Sequence, residues 1–164
     1  MARVLVLGYG NPLRTDDGLG WHVAVELFRT NSSREVKVVP CHQLTPELAE
    51  AVGCVETVIF IDCTRKGKPG EACEEEVQPQ SGSTSFTHDL SPAALLALAA
   101  ELFGACPKAY LFSICGECFA PGEDLSATVS GRVPVLKSLV RRRIEEALWP
   151  SASPAPGAPR TLVS

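Results

Sequence analysis

The chain contains no block of basic residues: 15 Lys and Arg stand against 19 Asp and Glu, for a net charge of −4. Without a basic stripe to meet phosphates, nucleic acid is not an expected partner. No apolar run approaches the roughly 20 residues that cross a bilayer, so a membrane is not expected either. The N-terminus enters a strand pattern at once, without the basic region, apolar segment and cleavage site of a secretory leader. That leads to the expectation of a cytoplasmic protein. There is no internal repeat.

Several catalytic signatures are also missing. No Gly-x-Ser-x-Gly elbow occurs, and no His-Glu-x-x-His helix. The seven cysteines include a single Cys-x-x-Cys pair, Cys115-Gly-Glu-Cys118. A structural zinc site wants a second such pair, so small buried thiols are the simpler reading. After the first strand, Gly8-Tyr9-Gly10 continues into Asn11-Pro12-Leu13, without the third glycine of a dinucleotide fingerprint and without a Gly-Lys-Ser/Thr phosphate cradle. The loop leads instead to Asp16-Asp17. Two carboxylates at a helix start repel phosphate and attract a cation.

Hydrophobic content of 45% with 21% charged residues is that of a soluble globular chain, and 164 residues suffice for one well-cored domain. We expect that domain to occupy residues 1–149, and the Pro/Ser/Ala-rich residues 150–164 to form a disordered tail. The first strand covers Val4 to Leu7. A helix from Asp17 to Phe28 comes next, with Asp16 as N-cap and Val23, Leu27 and Phe28 facing inward. A second strand spans Val36 to Cys41, and Thr45-Pro46 caps a short helix that ends near Gly53. The third strand, Thr57 to Ile61, is terminated by Asp62. Ala72 to Val77, with three consecutive glutamates, suits a solvated edge strand. Ser91-Pro92 opens a helix to Phe103, apolar on nearly all faces and expected to be buried. Ala109 to Ile114 is the last core strand. Ser126 opens a final helix to Leu148 that Gly131 and Pro134 should weaken or kink. Strands alternating with helices predict a three-layer α/β/α fold around a mainly parallel sheet.

In such sheets, groups at the carboxyl ends of the strands gather at one edge. Asp17 comes after strand one, Asp62 after strand three, and His88 precedes the third helix. If strands one and three are neighbours, their ends lie about 5 Å apart. Two carboxylates and an imidazole, with coordination positions left open, suit nickel or zinc. Each residue also has an ordinary structural role: Asp17 answers the helix dipole, Asp62 serves a turn, and His88 is a solvated or capping side chain. His42, after strand two, is a candidate for the pocket wall, whereas His22 is expected to be structural or solvent-facing. A cysteine nucleophile, Cys63 beside Asp62 or Cys41 beside His42, is the rival chemistry, though neither context lowers a thiol pKa.

Gly-x-Gly-Asn-x-Leu-x-x-Asp-Asp-Gly-x-Gly closely resembles the opening of the nickel–iron hydrogenase maturation endopeptidases. The resemblance continues through Ile59-Phe60-Ile61-Asp62, Thr87-His88-Asp89-Leu90-Ser91-Pro92, Gly116-Glu117 and Gly122-Glu123-Asp124-Leu125-Ser126, covering roughly residues 3 to 148. It implies a five-stranded twisted sheet and metal contacts at Asp17, Asp62 and His88. It also implies an activity: removal of the C-terminal extension of a hydrogenase large-subunit precursor after nickel insertion, with the nickel arriving on the precursor and the same three residues serving catalysis. Zinc or another divalent ion is then a substitute in isolation, and a monomer is expected. The alternative is a metal-sensing chaperone that docks the precursor without cutting it.

Overall fold

A computed structural model of the chain describes residues 1–81 and 90–150. Five strands carry the fold: β1 (Val4–Tyr9), β2 (Val36–Cys41), β3 (Thr57–Thr64), β4 (Ala72–Glu76) and β5 (Lys108–Cys115). Five helices surround them: α1 (Leu19–Thr30), α2 (Leu48–Gly53), α3 (Pro92–Phe103), α4 (Ala127–Ser130) and α5 (Val133–Leu148). The sheet order is β2-β1-β3-β5-β4, parallel except for β4, which pairs antiparallel with β5. The fold class read from the sequence is the one observed.

The central strands β1 and β3 are apolar on both faces because both faces are covered. Successive side chains alternate, so Val4, Val6, Ile59 and Ile61 pack under α1 and α5. Leu5, Leu7, Val58 and Phe60 pack under α2 and α3. Parallel pairing then sets the carboxyl ends of the central strands side by side, with Tyr9 opposite Cys41 and Gly8 opposite Ile61. The condition set for the two aspartates to meet, that strands one and three be neighbours, is fulfilled by the direct pairing of β1 with β3.

Some local expectations change. β3 does not stop at Asp62 but runs on to Thr64, because Asp62, Cys63 and Thr64 pair with Ser113, Ile114 and Cys115 of β5. Phe28 is 63% exposed; one residue beyond the buried Leu27, it is turned about 100° off the inward stripe. α3 is buried only along Leu95, Leu96 and Ala99, and its end leaves Leu102 and Phe103 exposed. Its start is as read, with the Ser91 hydroxyl accepting from the Ala94 N–H, and Gly104 closes it with φ of 64°. α2 starts at Leu48, with no side-chain cap from Thr45. The final helix is broken into α4 and α5 at Gly131-Arg132, with Pro134 in the first turn of α5. The expected tail lies, after Pro150, outside the described residues.

Candidate functional site

Between β1 and α1 the chain must reverse within nine residues and still deliver Asp17 to the sheet edge. Gly10 makes the turn with φ of 144°, and a Cβ there would stand 1.8 Å from the Asp17 carbonyl oxygen. A 3₁₀ turn, Thr15–Gly18, precedes α1. The Asp17 carboxylate accepts the Asn11 backbone N–H on Oδ2 at 2.9 Å, and the Asn11 Oδ1 accepts the Leu13 N–H at 2.9 Å. Gly20 then lets α1 lie directly on backbone: a Cβ there would meet the carbonyl oxygens of Ile61 at 2.2 Å and Tyr9 at 2.4 Å. That contact seats the beginning of α1 on the ends of β1 and β3, and carries Asp17 towards Asp62.

Asp62 stands one residue past Ile61 on β3. Its Oδ1 accepts the Cys63 N–H at 2.7 Å, and the Tyr9 phenol lines the same cavity on the neighbouring strand. Burial, reinforced by the charge of Asp62, raises the Tyr9 pKa well above the ordinary phenol value, so Tyr9 is a hydrogen-bond donor here at any physiological pH. Asp17, Asp62, Tyr9, His42, Cys63 and Ser91 share a cavity of about 300 Å³ at the carboxyl edge of the sheet. Asp17 and Asp62 are thus brought together as the sequence suggested, and His42 takes its place in the wall. His88 lies outside the described residues. Among those described, no group of three His, Cys, Asp or Glu side chains is disposed to hold a metal ion, so the two aspartates alone do not complete a ligand set.

The first acid of the pair has a different job from the second, and not the one its position suggested. Asp16 is fully buried and does not cap α1, whose N-cap position is Gly18. Instead its carboxylate receives the backbone N–H groups of Glu117 (2.8 Å), Cys118 (2.9 Å) and Ser126 (2.8 Å), and the Ser126 hydroxyl (2.8 Å). Burial alone would push its pKa up, but these donors outweigh it and hold the carboxyl below its usual value. Thr15 adds bonds from its N–H to the Gly122 oxygen and from its hydroxyl to the Ala120 oxygen. The segment bearing Asp17 is therefore clasped to residues 115–126, the stretch in which the motif resemblance resumes.

The thiols are poor nucleophiles. Burial, with the charges of Asp62, Asp16 and Asp17, pushes Cys63 up to about 12, and burial raises Cys41. The cysteine route is set aside on that ground, since the thiolate is the reactive form. Cys115 and Cys118 are free thiols, and Cys115 is buried with its Sγ 3.4 Å from the Gly67 oxygen. His22 lines a different cavity from Asp17 and Asp62, edge-on to Trp21, with its Nε2 buried and unpartnered.

Sequence reasoning missed Tyr9, which looked like the variable position of a glycine turn. Only the pairing of β1 with β3 shows that it faces Asp62.

Comparison with solved structures finds the same fold in hydrogenase maturation enzymes. The hydrogenase maturating endopeptidase HybD from E. coli superposes with a TM-score of 0.73 at 24% identity, covering 88% of this chain and 93% of that one. The [NiFe] hydrogenase maturation protease HycI from Thermococcus kodakarensis gives 0.71 at 21% identity, covering 88% and 93%. A hydrogenase 2 maturation peptidase from a Thaumarchaeota archaeon gives 0.67 at 26% identity, covering 87% and 97%. No protein-family profile and no curated protein sequence matches the chain. The resemblance read from the motifs is thus also a resemblance of folds, extending over nearly the whole of each of these neighbours.

Proposed function

We propose that this protein is a processing endopeptidase of nickel–iron hydrogenase maturation. It removes the C-terminal extension of a large-subunit precursor after nickel has been inserted, and recognises the metal that the precursor carries in. The observation that carries this reading is the cavity at the carboxyl ends of β1 and β3, where Asp17 and Asp62 face one space. Two half-buried carboxylates sharing a site repel each other, and a divalent cation relieves that cost. The neighbours of like fold are named as proteases or peptidases of hydrogenase maturation.

His88 completes the proposed ligand set. It stands two residues before Leu90, which lines the same cavity. A set of two oxygens and one nitrogen, without thiolate, binds nickel weakly in the isolated protein, which fits a metal delivered by the substrate; zinc or another divalent ion would substitute. In the complex, the metal supplies Lewis acidity towards the scissile carbonyl or an attacking water. Asp17 or Asp62 would accept the proton of that water as it attacks the carbonyl and return it to the leaving amine as the peptide C–N bond breaks. The thiols take no part. The protein acts as a monomer in the cytoplasm on this reading; among the described residues, no helix is long and apolar enough to cross a membrane.

The test is direct. Purified protein is incubated with nickel-loaded and with nickel-free precursor, and the product masses are measured. Cleavage of the loaded form alone is the expected result. A stable complex with an uncut loaded precursor would favour a metal-sensing chaperone instead, and cutting of both forms would remove the metal from the recognition step.

A further inference from the structure

Leu13 is 59% exposed, in the loop that joins β1 to Asp17. A single leucine on a surface is ordinary. Two observations set this one apart. Its backbone is held from both sides: the Leu13 N–H donates to Asn11 Oδ1 at 2.9 Å, and the Leu13 oxygen accepts the Gly122 N–H at 2.9 Å. Asn11 also gives its own N–H to Asp17, so Leu13 stands two hydrogen bonds from the cavity. Second, Thr15 has φ of 50°, a left-handed conformation that a β-branched residue adopts only at a cost. Its N–H bonds to the Gly122 oxygen at 2.9 Å and its hydroxyl to the Ala120 oxygen at 2.5 Å, which hold that conformation in place. Backbone strain that the surroundings hold in this way clusters at sites of function. Phe28, Phe103 and Trp149 are exposed too, but they lie towards the C-terminal ends of α1, α3 and α5. Those ends face the opposite edge of the sheet, where Asn31 meets the Val36 oxygen and Arg3 meets the Leu148 oxygen.

We propose that Leu13, with the exposed Ala120 and Pro121 of the loop bonded to it, is the apolar anchor on which the metal-bearing precursor docks. The inference rests on the function proposed above. A large protein that brings its metal to Asp17 and Asp62 must cover the carboxyl edge of the sheet around them, and Leu13 stands on that edge. The loop is already ordered by its bonds with Asn11, Ala120 and Gly122, so docking there loses little conformational freedom. Burying one leucine side chain in a close-fitting hollow is enough to tighten binding about tenfold or more. The partner surface that fits is an apolar hollow beside the precursor's metal. Leu13 takes no part in the chemistry; it contributes the same binding before and during the reaction.

Leu13→Ala removes the anchor and leaves the backbone bonds of the loop, while Leu13→Met keeps an apolar chain of similar volume. Cleavage of nickel-loaded precursor by each protein gives kcat and KM, and titration of the loaded precursor onto each protein gives binding apart from cutting. Urea denaturation checks the fold. The expected result for Leu13→Ala is a KM raised about tenfold or more with kcat within about twofold, the pattern of binding lost equally from ground and transition states. Its denaturation midpoint should be unchanged, and Leu13→Met should stay within about threefold of wild type. A Leu13→Ala protein with KM within about twofold of wild type overturns the anchor. So does a loss confined to kcat, or one accompanied by a lower midpoint, since Leu13 would then only support the Asp17 loop. Wild type that neither binds nor cuts the loaded precursor overturns the functional reading beneath. Wild type that binds it uncut, with binding weakened in Leu13→Ala, overturns the cutting and upholds the anchor, so the two failures are told apart.

Discussion

Asp16 and Ser126, 110 residues apart in the chain, are joined by two hydrogen bonds of 2.8 Å: the Ser126 N–H to Oδ1 and its hydroxyl to Oδ2. Through them the loop that presents Asp17 is fastened to the start of α4. With the N–H groups of Glu117 and Cys118 also on Oδ2, this fully buried carboxylate serves four donors at once. Asp16→Asn would turn an amide NH₂ towards some of those donors and remove the charge that attracts them. Leaving buried donors unsatisfied costs about 1–3 kcal/mol each. A destabilisation of about 3 kcal/mol or more is expected in urea denaturation, and a change below about 1 kcal/mol would show that the clasp is not what holds the loop.

The same carboxylate makes stability depend on pH in a definite direction. Its folded pKa is held below the unfolded value of about 3.9, so its contribution is fully present above that value and is lost as pH falls through the folded pKa. Wild-type stability should therefore drop on acidification below about pH 4 more steeply than that of Asp16→Asn. Denaturation midpoints for both proteins between pH 3 and pH 6 measure it, and parallel curves would contradict it.

Gly20 sets helix propensity against contact. Replacing a helical glycine by alanine gains up to about 1 kcal/mol in a helix interior, and less in the first turn, where Gly20 stands. Here the new methyl would stand 2.2 Å from the Ile61 oxygen and 2.4 Å from the Tyr9 oxygen, both backbone atoms of packed strands. Neither can step aside cheaply, so the clash wins. Gly20→Ala should be destabilised by about 1–3 kcal/mol despite its better propensity. It should also lose processing activity, because the shift moves Asp17 away from Asp62. A more stable Gly20→Ala protein would show that α1 does not sit on the strand ends.

Cys63 lines the cavity but is kept protonated by burial and by the surrounding carboxylates. Cys63→Ala should retain processing within about threefold, read from the rate of precursor cleavage, since a thiol that is not ionised supplies no nucleophile. Loss of a hundredfold or more would return the cysteine chemistry to consideration.

Much of the fold is legible in the chain. Val4 to Leu7 and Thr57 to Ile61 read as buried parallel strands because they are apolar without alternation, and both faces are in fact covered. Ser91-Pro92 and Gly104 mark α3 at both ends by cap chemistry that needs no tertiary context. Asp17 and Asp62 can be nominated because each borders a recognisable strand. Asp16 misleads for the opposite reason: its partners, Glu117, Cys118 and Ser126, lie more than 100 residues away, and no local pattern announces a carboxylate serving a distant loop. Tyr9 and Gly20 are illegible alike, since their roles depend on which strands pair and how closely α1 approaches them. The extension of β3 to Thr64 has the same origin, in pairing with β5.

The central claim is that Asp17 and Asp62 act as one site, and a double-mutant cycle on precursor cleavage tests it most directly. Rates are measured for wild type, Asp17→Asn, Asp62→Asn and the double variant, all checked for folding. Residues that work as a unit are strongly non-additive, so each single variant should lose nearly as much activity as the double. Single variants that each keep most of the wild-type rate, or losses that simply multiply, would contradict the shared site.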